Sequence, residues 1–172
     1  MVRSALILLC LAWGVGCSTR ATDDDDDTAA PDDDTTDGDD AAVPAVVAHV
    51  QAVSATGEPG DYTFAATLLT SDIDCDQYAD WWEVLTPAGE LLYRRILQHS
   101  HPDEQPFTRD GGPVPVQAED EVIVRAHMNT TGYGGEAMRG SVAGGFTVDP
   151  KIGGDFAAPV ETQEPLPSDC LY

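Results

Sequence analysis

Basic residues are scarce. The 172-residue chain carries 8 Lys and Arg against 31 Asp and Glu, a formal charge of −23 at neutral pH. Binding a nucleic-acid backbone needs a Lys/Arg patch that neutralises phosphates, and the sequence offers none, so no nucleic acid is expected as a partner. There are four cysteines and no Cys-x-x-Cys pair that would mark a redox motif. Convincing helical apolar stripes are missing. So are a Gly-x-Ser-x-Gly elbow, a His-Glu-x-x-His pair and a phosphate-cradling loop. Paired carboxylates occur everywhere in so acidic a chain and single out no catalytic acid or base. Neither an enzymatic activity nor an organic cofactor is expected.

What is present sorts by region. Residues 1–16 run "MVRSALILLCLAWGVG": one base, an apolar stretch from Ala5 to about Val15, then small residues. That is the order of a secretory signal peptide, and the apolar stretch is shorter than the roughly 20 residues that span a bilayer. The junction "GVGCS" resembles a bacterial lipobox, with Gly16 just before Cys17 and Gly14 where that family usually has Leu. The resemblance implies lipidation of Cys17, cleavage before it and, with Ser18 following, sorting to an outer membrane or cell surface. Two or three acyl chains anchor stably where one does not. Ordinary cleavage without lipid is the alternative. Residues 17–42 then form an Asp-rich linker, with 11 Asp and no base between residues 23 and 40. It cannot bury a core and is expected to be a disordered spacer, extended by its own repulsion to as much as about 80–90 Å. The alternative is a weak calcium-binding run.

The rest reads as strands. From residue 41 onward there are 20 acidic and 6 basic residues, a net −14. "DYTFAATLLTS" puts Tyr62, Phe64, Ala66 and Leu68 on one face at period two. "WWEVL" and "ELLYRRILQH" flank the turn "TPAGE" and predict a hairpin. In "EVIVRAHM", Val122, Val124, Ala126 and Met128 form the expected core face, with Ile123, Arg125 and His127 facing out. "SVAGGFTV" is expected as one last strand. Trp81 and Trp82 point to opposite faces, so one belongs in the core and the other is half exposed or capped by a loop. The pattern predicts an all-β chain: a single antiparallel β-sandwich over residues 43–148, immunoglobulin-like in the broad sense, with a Pro-rich tail, 149–172, packed on it. In an exported chain the two remaining cysteines, Cys75 and Cys170, are expected to pair and pin that tail; an intermolecular bridge or free thiols are the alternatives.

Two stretches hold candidate ligands. In "HSHPDE", His99 and His101 point to one side of an extended chain. They could share a transition metal with a third ligand from Asp103, Glu104 or His127. The competing reading is a polar loop in which Glu104 or Asp103 pairs with Arg109, and Pro106 and Phe107 return the chain to the core. In "SDIDCDQYADWWE", Asp72, Asp74, Asp76, Asp80 and Glu83 fall at positions 1, 3, 5, 9 and 12 of a calcium loop, but Gln77 stands where the sharp turn wants Gly. A looser calcium clasp at Asp72–Asp76 and a solvated acidic turn are the two readings.

The run "CDQYADWWEVLTPAGELLYRRILQHSHPDEQPFTR", with "VIVRAHMNTTGYGG" after it, resembles a group of uncharacterised bacterial exported proteins over about residues 60–146. The resemblance implies a compact exported β-sandwich domain and no activity. The expected function is a cell-envelope lipoprotein, held to the membrane by its lipid. It displays a binding or scaffolding module for a protein or glycan at the cell surface. The alternative is a metal-binding exported protein built on the His99/His101 region, or on calcium at Asp72–Asp76.

Overall fold

Eight strands and one short 3-10 helix carry the chain in the computed structural model, which describes residues 45–171. The signal, Cys17 and the Asp-rich linker lie outside the described residues. Strands β1 (Ala48–Glu58), β2 (Asp61–Thr70) and β5 (Phe107–Val114) form one sheet in the order β1-β2-β5. Strands β3 (Ala79–Leu85), β4 (Leu91–Ile96), β6 (Val122–Met128), β7 (Met138–Ser141) and β8 (Gly145–Val148) form a second, in the order β4-β3-β6-β7-β8. Every pairing is antiparallel. The two sheets pack face to face as a β-sandwich.

Between them, Tyr62, Phe64, Ala66, Leu68 and Phe107 of one sheet meet Trp82, Val84, Val122, Val124, Ala126 and Met128 of the other. The β2 alternation and the β6 core face are those read from the sequence. The β3–β4 hairpin turns at "TPAGE": Thr86 N–H donates to Glu90 O at 2.9 Å, and Gly89 adopts φ 85°, a conformation that L side chains rarely take.

The structure corrects the strand reading in one place and adds a strand in another. "SVAGGFTV" is not one strand but the tight connection and second half of the β7–β8 hairpin, whose partners run Met138↔Val148 to Ser141↔Gly145. Strand β5, which the sequence reading did not assign, contains "DGGPV". It holds as a strand because it lies at a sheet edge, where a proline removes no ladder bond. Close approach demands its glycine too: a Cβ at Gly111 would lie 2.7 Å from the Tyr93 ring of the facing sheet.

Strands β3 and β6 are buried on both faces along their whole length. The inner face meets the main core. The outer face is covered by the chain from Asp149 onward, which passes through the 3-10 helix Ala158–Thr162. Ile152 and Val160 of this segment join Leu85, Ile123 and Ala137 in a second apolar cluster. Its far end is tied down twice. Leu171 N–H donates to Gln98 O beyond β4, and Cys170 is bonded to Cys75, with Cα atoms 5.6 Å apart and a sequence separation of 95. In the chain-entropy account, closing a loop of that length is worth roughly 4–5 kcal/mol.

Candidate functional site

Two polar assemblies flank the β4 edge, and the adjacent residues Arg94 and Arg95 divide between them. Successive side chains on a strand point to opposite faces. Arg94 therefore goes to the outer face of the five-stranded sheet, while Arg95 goes toward the other sheet.

On the outer face, the register aligns Glu83 with Arg94 on one neighbouring strand and Arg125 on the other. Glu83 is fully buried. Its Oε2 accepts from Arg94 Nε and Nη2 at 2.9 and 2.7 Å, and its Oε1 accepts from Arg125 Nε at 2.8 Å. The remaining guanidinium donors reach the covering segment. Arg94 donates to the carbonyls of Val160, Gln163 and Pro165 at 2.8, 2.6 and 3.1 Å. Arg125 donates to the carbonyls of Phe156 and Ala157. Trp81 lies under Arg94 at 4.4 Å and Tyr133 under Arg125 at 3.4 Å. Burial pushes the Tyr133 hydroxyl up to about 12, with Glu83 adding to the rise.

Arg125 and His127 are thus not solvent-facing: they are 3% and 4% exposed. The period-two pattern marks two faces but cannot tell that the second is roofed by a distant segment. His127 stacks on Trp81 at 3.7 Å. Its Nδ1 lies 2.6 Å from Asp80 Oδ1, and its Nε2 lies 3.3 Å from Glu161 Oε1 on the covering segment. Burial raises the pKa of Asp80 against the opposing pull of His127. A cleft of about 400 Å³ opens beside Glu161, lined also by Asn129, Thr131, Tyr133 and Asp155. The Thr131 hydroxyl donates to Val46 O at 2.7 Å, so it is committed to the backbone rather than to His127. Carboxylates, guanidiniums and carbonyls in this assembly satisfy one another. It holds the cover to the sheet.

On the other side of the β4 edge, Arg95, Leu97, Gln98, His99, His101 and Arg109 line a small cavity of about 70 Å³. His99 and His101 lie with ring centroids 4.4 Å apart. His101 is 3% exposed and stacks on Phe107 at 4.0 Å. Its ring nitrogens make no hydrogen bond among the described residues. Burial lowers its pKa, and so do Arg109 and His99, while Asp72 and Glu104 work against them. Arg95 Nε donates to Asp110 O on β5 at 3.0 Å, which ties the two sheets together at this edge. Arg109 pairs with the exposed Glu104 at 2.8 Å, the partner the polar-loop reading gave it.

The other candidate residues are dispersed. His127 sits with Asp80 and Glu161 rather than with His99 and His101, and Asp103 is exposed. The acidic turn spends its oxygens locally. Asp72 accepts from the Thr70 hydroxyl at 2.7 Å and from the backbone N–H of Ala79 and His101, each at 2.8 Å. Asp74 accepts from Asp76 N–H at 2.8 Å, and Asp80 and Glu83 belong to the outer-face assembly. Among the described residues, no three His, Cys, Asp or Glu side chains are grouped so as to hold a metal ion.

Over 75 residues the chain is 47% identical to a "Putative lipoprotein" of Halomicrobium mukohataei, a match covering 44% of this chain and 37% of that one. The chain therefore spans little more than a third of that relative's length. Over 44 residues it is 46% identical to part of the nonribosomal peptide synthetase dtxS1 of Metarhizium robertsii, covering 25% of this chain and 1% of that one. That share is too small to carry anything across. No family model and no solved structure matches the chain. What the comparisons establish is a likeness to a protein named as a lipoprotein.

Proposed function

We propose that the protein is a cell-envelope lipoprotein. Cys17 carries the lipid, residues 18–42 act as an acidic spacer, and the β-sandwich domain at 43–148 with the tail 149–172 is the displayed module. It acts by binding or scaffolding at the outer membrane or cell surface. The observation that carries this reading is the Cys75–Cys170 disulfide, because such bonds form and persist in oxidising compartments and are rare where thiols are kept reduced. The name of the relative supports the lipid anchor. The self-satisfied outer-face assembly supports a scaffold rather than a catalyst, since its charged groups are spent on holding the fold together.

The test is to express the full chain in a bacterial host with labelled palmitate and partition the extract in detergent. The parent chain is expected to take up label and enter the detergent phase, and Cys17→Ser to do neither. An unlabelled, soluble parent chain cleaved before residue 17 or 18 would replace the lipoprotein reading with simple secretion.

A further inference from the structure

The small cavity at the β4–β5 edge stands apart from the charge balance of the molecule. Among the described residues, Arg94 and Arg125 are committed to Glu83, and Arg139 to Glu121 and Asp149. Arg95 has no carboxylate within ion-pair distance among the described residues, and donates only to the carbonyls of Asp110 and Ile96. An exposed cation held by backbone carbonyls keeps its charge available to a ligand. Arg109, across the same cavity, shares its charge with Glu104, whose carboxylate is largely exposed and free to move aside.

His101 lines the same cavity, buried and stacked on Phe107, and among the described residues neither ring nitrogen has a hydrogen-bond partner. A buried polar group without a partner is costly, and this one lines the cavity. A cation is disfavoured here by two flanking guanidiniums. The cavity is far below the roughly 300–1,000 Å³ of a drug-sized site and holds a single small group. Several donors on separate side chains suit an anion with oxygens in several directions better than a planar carboxylate.

We propose that Arg95, Arg109, His99 and His101 form a binding site for a tetrahedral oxyanion, a phosphate ion or the phosphate group of a monoester. Arg95 is the principal charge, bound to the sheet edge by Asp110 O. Arg109 is the second, released as Glu104 gives way. His99 closes the solvent side, and His101 turns toward the anion as it enters. Asp72 faces His101 from behind, with Nδ1 and Oδ2 3.7 Å apart, and opposes the movement; its carboxylate already accepts three hydrogen bonds, from the Thr70 hydroxyl and the Ala79 and His101 backbone. The rest of the molecule is anionic, but charges more than about 8 Å away are screened at physiological ionic strength. The site does not depend on where the chain resides.

The experiment titrates the full chain with inorganic phosphate and with glycerol 1-phosphate, following the His99 and His101 ring signals by NMR. With few contacts and an opposing net charge, a dissociation constant on the order of 1 mM is expected. Arg95→Gln is expected to weaken binding at least tenfold, and Glu104→Gln to strengthen it severalfold, since it frees Arg109. Lys151→Ala, at an exposed lysine elsewhere, leaves it unchanged. Tighter binding of the monoester would assign the site to a phosphorylated ligand and equal binding to the free ion; either supports the proposal. Absence of shifts at His99 and His101 up to tens of millimolar phosphate would overturn it. So would an Arg95→Gln variant that folds and binds as the parent does, an equal loss in Lys151→Ala, or zinc binding to the His pair that phosphate does not affect.

Discussion

Arg94 and Arg95 are consecutive, chemically identical and separated by one peptide bond, yet they end in opposite circumstances. Arg94 is buried, with a bidentate carboxylate and three carbonyls on its donors. Arg95 is exposed and donates to two carbonyls. The difference comes from strand alternation and from what covers each face. The first arginine meets a segment rich in free carbonyls, and the second meets a cavity. A buried charge set that satisfies itself fixes a structure, whereas a charge left under-used at a cavity is available for recognition.

The largest expected effect breaks the first half of this comparison. Glu83→Gln leaves two buried guanidiniums without their shared carboxylate and should cost about 3–5 kcal/mol, read by urea denaturation. Arg95→Gln should stay within about 0.5 kcal/mol of the parent, as surface changes do. Equal losses in the two variants would mean that burial on the outer face does not set the cost.

Next is the tie on the cover. The double variant Cys75→Ser/Cys170→Ser should lose about 2–5 kcal/mol and should expose the residues 149–171 to amide exchange well before the main core. Uniform loss of protection across the sandwich would show that cover and core open as one unit.

The two regions should also separate along the pH axis. Tyr133 is held protonated to about 12. Its hydroxyl is raised above the unfolded value of 10.0, so the folded state keeps the proton longer, and stability falls as pH rises from 10 toward 12. Tyr133→Phe should flatten that alkaline slope. His101 is shifted down from 6.5. The unfolded chain then takes up the proton first, so its contribution is full above pH 6.5 and is lost as pH falls below it. His101→Phe should shrink the difference in melting temperature between pH 7.5 and pH 5. The smallest expected effect is that of Glu104→Gln, whose pair with Arg109 lies at the surface; the melting temperature should not change measurably.

Much of the sandwich was legible from residues whose neighbours are local. The alternation of Tyr62, Phe64, Ala66 and Leu68, the turn at Gly89 and the opposite pointing of Trp81 and Trp82 each depend on a few residues and a period of two. Trp82 is in the core, and Trp81 is capped by Arg94, His127 and Tyr133. The Glu104–Arg109 pair spans five residues and was equally visible. What was not legible depends on distant chain. Strand β5 is specified by the fit of Gly111 against Tyr93 and by its edge position, and neither appears in a local pattern. The outer-face assembly needs the segment around Val160, more than 60 residues from Arg94. A clue was present all the same: the face bearing Arg125 and His127 also bears Trp81, Leu85 and Ile123, too much apolar surface for a face left to water. The cavity gathers Arg95, His99 and Arg109 from a strand, a loop and the facing sheet, which no reading of "HSHPDE" alone could bring together.

The roof over the outer face also imposes an order of assembly. Chain emerging from its N-terminus delivers Glu83, Arg94 and Arg125 first, and the carbonyls that complete their shells arrive with residues 156–165. Until then those three side chains have none of these carbonyls to meet, and Cys75 waits 95 residues for its partner. Closure of the roof therefore waits for residues 156–165, and the bond that locks it waits for Cys170.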